Sequence, residues 1–513
     1  MGRRKAATRA LMLITLCLAI TESLSNAITF PQDNSSSGQR ESLILQKEQQ
    51  LFMREQALKK KEAELANREQ MLADRHTLVI ADTRKKPQNT FVPEPIPPRA
   101  GATVPAGTAL QAEVATPPSN DLQEFFSGLS NFSLDMLQRL AKSETNVAFS
   151  PLTTWVLLSM MSEGAEGATL RELQTTLALP QDKNSTYRGF EAIRSDIMQI
   201  MKGNSLINLG SAAFTSPSVK LEEDFKRIAE VCYNTSMESL DFRNTTFAAR
   251  TINKWVNDLT AGNIHGIVYP TDLVNAKLVL TSALYFRGSW KDAFNESLTR
   301  REPFMDDSGT RVAEVDMMYQ VGRFRLSFID GLKAMALELP YSSERNSMLL
   351  LLPRRGSTLN ELLSNMANFS QPFVPTIMKK LADDELADTD DEDIHVYLPR
   401  FELSTKLQLV DLLKKMGIKG LFTPGRRELK GISSSLDLYV SNMVHKAGIN
   451  VNEKGTTAHA ASAAILHNYS LPSTFKANKP FLFMIIQRAT NAILFAGKVG
   501  NPAPNTQRRR VSK

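Results

Sequence analysis

The six histidines of this 513-residue chain, at positions 76, 265, 395, 445, 459 and 467, are scattered without the spacing that brings two imidazoles to one metal ion. There is no Gly-x-x-x-x-Gly-Lys phosphate cradle, and no Gly-x-Ser-x-Gly turn to raise a serine nucleophile. Cys17 falls in an N-terminal apolar run, leaving Cys232 as the lone thiol of the rest of the chain. It reads as a small buried apolar residue rather than a nucleophile. No catalytic residue, metal ligand or cofactor is assigned on these grounds, and the chain is read as not an enzyme.

The stretch that stands apart is Gly455 to Leu471, which contains no proline, acid, lysine or arginine. Its alternate positions Thr456, Ala458, Ala460, Ser462 and Ala464 are all small, whereas His459 and Ile465 fall on the opposite face. As a strand it would present a narrow face able to slide into an existing sheet. Alanine's own propensity favours a helix instead.

The elements that must carry this segment lie between about residues 121 and 504, where helical stretches (Leu134 to Lys142, Ala248 to Leu259) mix with strand-like runs. The latter include Lys277 to Phe286, Met348 to Pro353 and Ala492 to Ala496, so an α+β domain is expected. The acidic run from Asp383 to Asp393 reads as an exposed loop insertion and lacks the glycine spacing of an EF-hand.

Outside that domain the composition changes. Residues 1–27 join a basic start to an apolar run from Ala10 to Ile20 and small residues at Ser25 and Ala27, the pattern of a signal peptide cleaved after Ala27. The run is too short to span a bilayer, so no membrane partner is expected. Residues 28–82 hold a heptad repeat with Leu51, Leu58, Leu65 and Leu72 on one stripe. The second position of each heptad is poorly apolar, so residues 44–72 would support only weak self-association. Residues 83–118 contain eight of the 24 prolines and read as an extended linker, and residues 506–513 as a basic tail. The formal charge of +7 divides into +3 from residues 1–27 and +4 from the tail. A neutral body argues against nucleic acid as a partner. Sequons at Asn34, Asn131, Asn184, Asn234, Asn244, Asn295 and Asn368 suit glycosylation of a secreted, extracellular protein, and an eighth begins at Asn468.

Several dispersed segments share one further pattern. Asn146 to Thr153, containing Ser150 and Pro151, resembles an early helix motif of the serpin superfamily, and Gly164 to Thr169 the turn after it. Leu278 to Trp290, through Ser282, resembles that family's central sheet strand ending at the breach tryptophan. Val396 to Phe401, Met416-Gly417-Ile418 with Phe422, His445 to Thr456, Asn478 to Phe481 and Phe495 to Pro502 follow in the family's order. Residues 119–505 thus resemble a serpin domain along nearly their whole length.

The resemblance implies an α+β fold of three β-sheets with eight or nine helices and an exposed reactive loop from about Glu453 to Pro472. It implies a suicide substrate for a serine protease, which is trapped as an acyl-enzyme when the cleaved loop inserts into the main sheet. Glu453, Gly455, Thr456, Ala458, Ala460 and Ser462 would form the hinge of that loop. Ser150, Thr153, Ser282, Trp290 and His445 would form the shutter and breach where the sheet opens. Counting from Gly455 places the scissile bond between Tyr469 and Ser470, with bonds after Leu466 or Leu471 as alternatives. No Lys or Arg lies between Lys454 and Lys476, so the target expected is chymotrypsin-like or elastase-like rather than trypsin-like. Ser282 stands where many serpins carry asparagine beside the histidine equivalent to His445, and a hydroxyl there can still hydrogen-bond the imidazole. The Asn468 sequon spans the bond and is expected to be unoccupied in the active inhibitor, and heparin dependence is not expected. The alternative is a non-inhibitory serpin, a carrier, chaperone or scaffold, whose N-terminal extension mediates interactions.

Overall fold

The computed structural model describes residues 120–202, 206–369, 372–387, 393–435, 438–453 and 473–503. The signal peptide, heptad segment, linker and basic tail lie outside the described residues, as do Asn34, Asn468, Gly455, Thr456, Ala458, Ala460, Ser462, Tyr469 and Ser470.

Nine α-helices and three sheets are present among the described residues. The six-stranded sheet runs β1 (Asn146–Phe149), β15 (Ala492–Val499), β14 (Phe481–Gln487), β9 (Asn346–Pro353), β8 (Ala334–Pro340) and β7 (Arg325–Ile329). Its middle strands β9 and β14 are buried at every position. Unbroken apolar runs such as Met348 to Leu352 are therefore strands covered on both faces. The four-stranded sheet runs β13 (Thr474–Lys476), β10 (Ile394–Pro399), β6 (Arg311–Gly322) and β5 (Arg300–Met305).

The five-stranded sheet carries the candidate site. Its order is β11 (Phe401–Gln408), β12 (Val440–Val451), β4 (Leu278–Arg287), β2 (Leu206–Thr215) and β3 (Thr235–Ser239). β12 and β4 are neighbours and run parallel, with His445 opposite Ser282. β4 is buried from Leu278 to Phe286 because helices cover both faces. On one side lies α6 (Thr245–Leu259), whose Ala248, Ile252 and Val256 join Phe214, Val279, Ala283 and Val444 in a small separate core. On the other lies α2 (Pro151–Glu163), buried from Pro151 to Ser162. A helix buried all round needs no amphipathic stripe, and its sequence has none.

Two expectations are corrected. Asn146 to Phe149 is not helical: it forms the edge strand β1, paired with β15, and the helix begins only at Pro151. The pairing wins because Asn146 locks the strand in place, donating to Asn501 O and accepting from the Gly500 and Asn501 amides. The first half of the acidic run is likewise no loop, since α8 (Phe373–Ala387) extends through it. Its acids are matched by cations, Asp384 by Lys380 at 2.6 Å and Glu385 by Arg325 at 2.6 Å. The matched charges let the helix continue past the first acids.

Glycines serve the fold at two family motifs. Gly417 ends the helix α9 (Val410–Met416) at φ +117°, where a side chain would strain the backbone. At Gly497 a Cβ would lie 2.3 Å from Val147 O and 2.5 Å from the Phe483 ring, so only glycine lets β1 lie against β15 here.

Two carboxylates tie distant segments together by accepting from backbone amides across them. Glu428 accepts from the Ala168 and Thr169 amides and the Thr169 hydroxyl, at the start of α3 (Gly167–Leu177). Glu172 of that helix accepts from the Lys419 and Gly420 amides. The Thr169 hydroxyl above all, with those amides, holds the Glu428 carboxyl down at about 2, against an ordinary 4.5. The charged cap is therefore fully formed above pH 4.5 and is lost as pH falls through about 2. Glu428→Gln is expected to cost about 1 kcal/mol at neutral pH. The gap to the unsubstituted chain, followed by thermal denaturation, should close as pH falls from about 4.5 to about 2. A gap unchanged over that window would mean that the charge does not carry the cap.

Candidate functional site

The candidate site is the seam between β4 and β12 and the end of the sheet towards which both strands run. Its centre is built from a serine that begins a helix. Ser150 is the N-cap of α2, its hydroxyl accepting from the Thr153 amide at 3.3 Å and donating to Leu494 O at 2.8 Å. Pro151 at the first helical position lacks only a donor that the helix would leave unpaired. The Thr153 and Thr154 hydroxyls both return to Ser150 O. These bonds fix the direction of the Ser150 N–H, which donates to His445 Nε2 at 2.9 Å.

That donation decides the histidine's tautomer. With Nε2 accepting, the proton sits on Nδ1, and Nδ1 is 2.8 Å from Ser282 Oγ on the adjacent strand. One imidazole thus links β12, β4 and the start of α2, and Ser150, Ser282 and His445 are fully buried. Burial pushes the His445 pKa down to about 3, so the ring is neutral at physiological pH. The structure brings Ser150, Thr153, Ser282 and His445 together, and the Ser282 hydroxyl reaches the imidazole.

The end of the seam is built around Trp290. Its ring stacks on Tyr341 at 4.7 Å between centroids and 8° between planes, and Nε1 donates to Asn452 O at 2.9 Å. That bond holds the last turn of chain before Glu453. Glu453 itself differs from expectation: placed at the start of an exposed loop, it is 2% exposed. Arg400 donates to both of its carboxylate oxygens, at 2.6 and 3.1 Å, and the Thr299 hydroxyl adds a third bond at 2.6 Å. Burial opposes this charge, but the Arg400 fork and Thr299 outweigh it and hold the carboxyl below its ordinary range.

Arg400, Thr299, Tyr341 and Leu494 were missed as site residues. Arg400 stood inside a family segment, so attention to a charge flanked by apolar strand residues could have found it. Leu494 contributes only a carbonyl, which no residue type signals. Of the expected glycosylation sites, Asn131, Asn234, Asn244, Asn295 and Asn368 are exposed and Asn184 is half-buried. Among the described residues no group of three or more His, Cys, Asp or Glu could hold a metal ion, and no helix is long and apolar enough to cross a membrane.

Comparison with known proteins gives the family of the chain. The serpin (serine protease inhibitor) family matches residues 127–502. Mouse antithrombin-III is 34% identical over 392 residues, covering 73% of this chain and 81% of its own. The leukocyte elastase inhibitor of Xenopus tropicalis is 31% identical over 387 residues, covering 74% of this chain and all of its own. Among solved structures, native protease nexin-1 with heparin superposes with a TM-score of 0.64 at 28% identity, over 75% of this chain and all of that one.

The neutral imidazole has a measurable signature. Its native pKa of about 3 lies below the ordinary 6.5, so between those values the unfolded chain takes up a proton that the native one refuses. Stability is therefore lost as pH falls below 6.5, by up to ~1.4 kcal/mol per pH unit from this group. His445→Gln is expected to be less stable at neutral pH but to lose stability less steeply towards pH 4.5, as read by thermal denaturation; parallel slopes would refute it. Ser282→Ala leaves a buried N–H without its acceptor and should cost about 1–3 kcal/mol. Ser282→Asn, which keeps an acceptor, should cost less.

Proposed function

The chain belongs to the serpin family, and from that membership we propose that it is a secreted inhibitor consumed by one encounter with a chymotrypsin-like or elastase-like serine protease. The protease serine attacks the Tyr469 carbonyl, the amide to Ser470 breaks, and an ester joins Tyr469 to the enzyme. The Ser470 amine leaves with the C-terminal fragment. The freed segment from Gly455 onward then enters the five-stranded sheet before water can cleave the ester.

The observation that carries this reading is the direct parallel pairing of β12 with β4. A segment that reverses at Glu453, directly after β12, and runs back between these strands would be antiparallel to both. One parallel pairing would give way to two antiparallel ones, the more stable ladder per residue. Thr456, Ala458, Ala460 and Ser462 are small enough for the covered face, whereas a charge there would oppose burial by several kcal/mol. The seam that must part is held by its backbone ladder and, at its middle, by the imidazole of His445, and its open end by Trp290 and the Glu453–Arg400 pair. The hinge, shutter and breach residues named from sequence are assigned those roles.

No Lys or Arg lies between Lys454 and Lys476, so the buried carboxylate of a trypsin-like pocket would find no partner near the proposed bond. Heparin dependence is not proposed. On the helix α4 (Lys183–Lys202) the cations Lys183, Arg188 and Arg194 are matched by Glu163, Asp182 and Glu191.

Mixing the mature protein with chymotrypsin, elastase and trypsin tests the proposal. An SDS-stable complex with chymotrypsin or elastase, and a released peptide beginning at Ser470, is expected; trypsin should give no such complex. Ala458→Arg should turn the inhibitor into a cleaved substrate with at least tenfold less complex. Cleavage without complex by every protease would instead favour a carrier or scaffold.

A further inference from the structure

Each of the three sheets has two edge strands, and most of these edges are defended. β5 carries Arg300, Arg301 and Pro303, and β11 carries Glu402 and Lys406. β13 is three residues long and ends at Lys476. β7 has Arg325 and packs against α8, whose Glu385 and Asp384 accept from Arg325 and Ser327. On β1 the Ala148 amide donates to the Thr405 hydroxyl of β11. Charges, proline and covering groups are how a sheet edge avoids adding a strand from another chain.

β3 lacks them. It pairs with β2 and, among the described residues, no strand pairs with its other side. It contains no Lys, Arg or Pro, and its one charge is Glu238. Ser236, Glu238 and Ser239 are exposed. Asn234 immediately precedes the strand, exposed in the turn after α5 (Glu223–Val231) at φ +50°, a left-handed conformation that asparagine tolerates. Asn234-Thr235-Ser236 is a sequon. Among the described residues neither the Asn234 amide group nor the Ser236 hydroxyl has a hydrogen bond, so the fold does not use the pair that the sequon requires. At the sequons of Asn131, Asn184, Asn244 and Asn295 it does use a member: Ser133 donates to Leu129 O, Thr186 is buried, Asn244 caps α6 and Asn295 accepts from Ser297.

We propose that an N-linked glycan on Asn234 supplies the defence that β3 lacks, overhanging the open edge and keeping a second copy of this chain from pairing with it. The proposal rests on the secreted reading, because the sugar donor, a lipid-diphosphate-linked oligosaccharide, acts in the secretory route. Transfer joins Asn234 Nδ2 to the anomeric carbon, breaks the sugar–phosphate bond, and releases the lipid diphosphate and one Nδ2 proton. The five residues of β3 span about 16 Å, short enough for one bulky modification at the start of the strand to shield it.

Four full-length proteins secreted from eukaryotic cells test this without any protease: the native chain, Asn234→Gly, Ser236→Ala and Ser236→Thr. Glycine keeps the left-handed turn and Ser236→Ala keeps the asparagine, so these two lose the sequon by unrelated routes, whereas Ser236→Thr retains it. Glycopeptide mass spectrometry is expected to find sugar on Asn234 in the native chain and in Ser236→Thr. Light scattering at matched concentration should show about tenfold more oligomer in Asn234→Gly and Ser236→Ala than in the other two. In that oligomer the amides of residues 235–239 should be protected from hydrogen exchange. Self-association through residues 44–72 is common to all four proteins and cancels in the comparison. A bare Asn234 beside occupied sequons elsewhere overturns the proposal, as do equal oligomer levels in all four proteins, or extra oligomer with residues 235–239 unprotected. A chain bare at every sequon overturns the secreted reading together with the proposal.

Discussion

The five-stranded sheet depends on a parallel seam closed over a single buried imidazole. β4 and β12 share their ladder from Val440 to Ile449, and at its middle His445 spends one nitrogen on Ser282 across the seam and the other on the Ser150 amide. Ser150 is itself committed, as the cap of α2 and as a donor to Leu494 on a different sheet. Separating the strands therefore breaks a bond to one strand and disturbs a helix terminus and a second sheet with it. In a dry interior each of these bonds is expensive to leave unmade. A segment that replaced β4 as the neighbour of β12 would have to supply new pairing at once.

The end of the seam is held by different physics. There the apolar stack of Trp290 on Tyr341 fixes Asn452 through one indole bond, and the next residue, Glu453, is a buried charge satisfied by three donors. A buried carboxylate costs several kcal/mol unless its bonds are complete, so Glu453 is stable only while Arg400 and Thr299 stay in place. The point where the chain leaves β12 is thus sharply defined, and any reversal of direction must start after it.

Much of this was legible in the chain. The apolar runs named the buried strands β4, β9 and β15, and the ordered family segments supplied the fold and the pairing of Ser282 with His445. What misled was local in character. Asn146 to Phe149 lies beside a helix cap and was grouped with it, yet hydrogen bonds to residues more than 350 positions away make it a strand. The acidic run looked too charged to fold, but Lys380 and Arg325 neutralise its first turn. Arg400 drew no notice because its partner lies 53 residues further on.

The sequence by itself determined the element types with long apolar patterns, the small residues at alternate positions of 455–464, and the charge of each terminal segment. These are properties of composition and spacing, and no neighbour is needed to state them. Only the tertiary structure decided that β12 lies directly against β4, that His445 is neutral with its proton on Nδ1, and that Glu453 is buried beneath Arg400. Each of those depends on groups distant in sequence meeting in a medium of low polarity, where a charge or an unpaired polar atom is tolerated only if a specific partner is present.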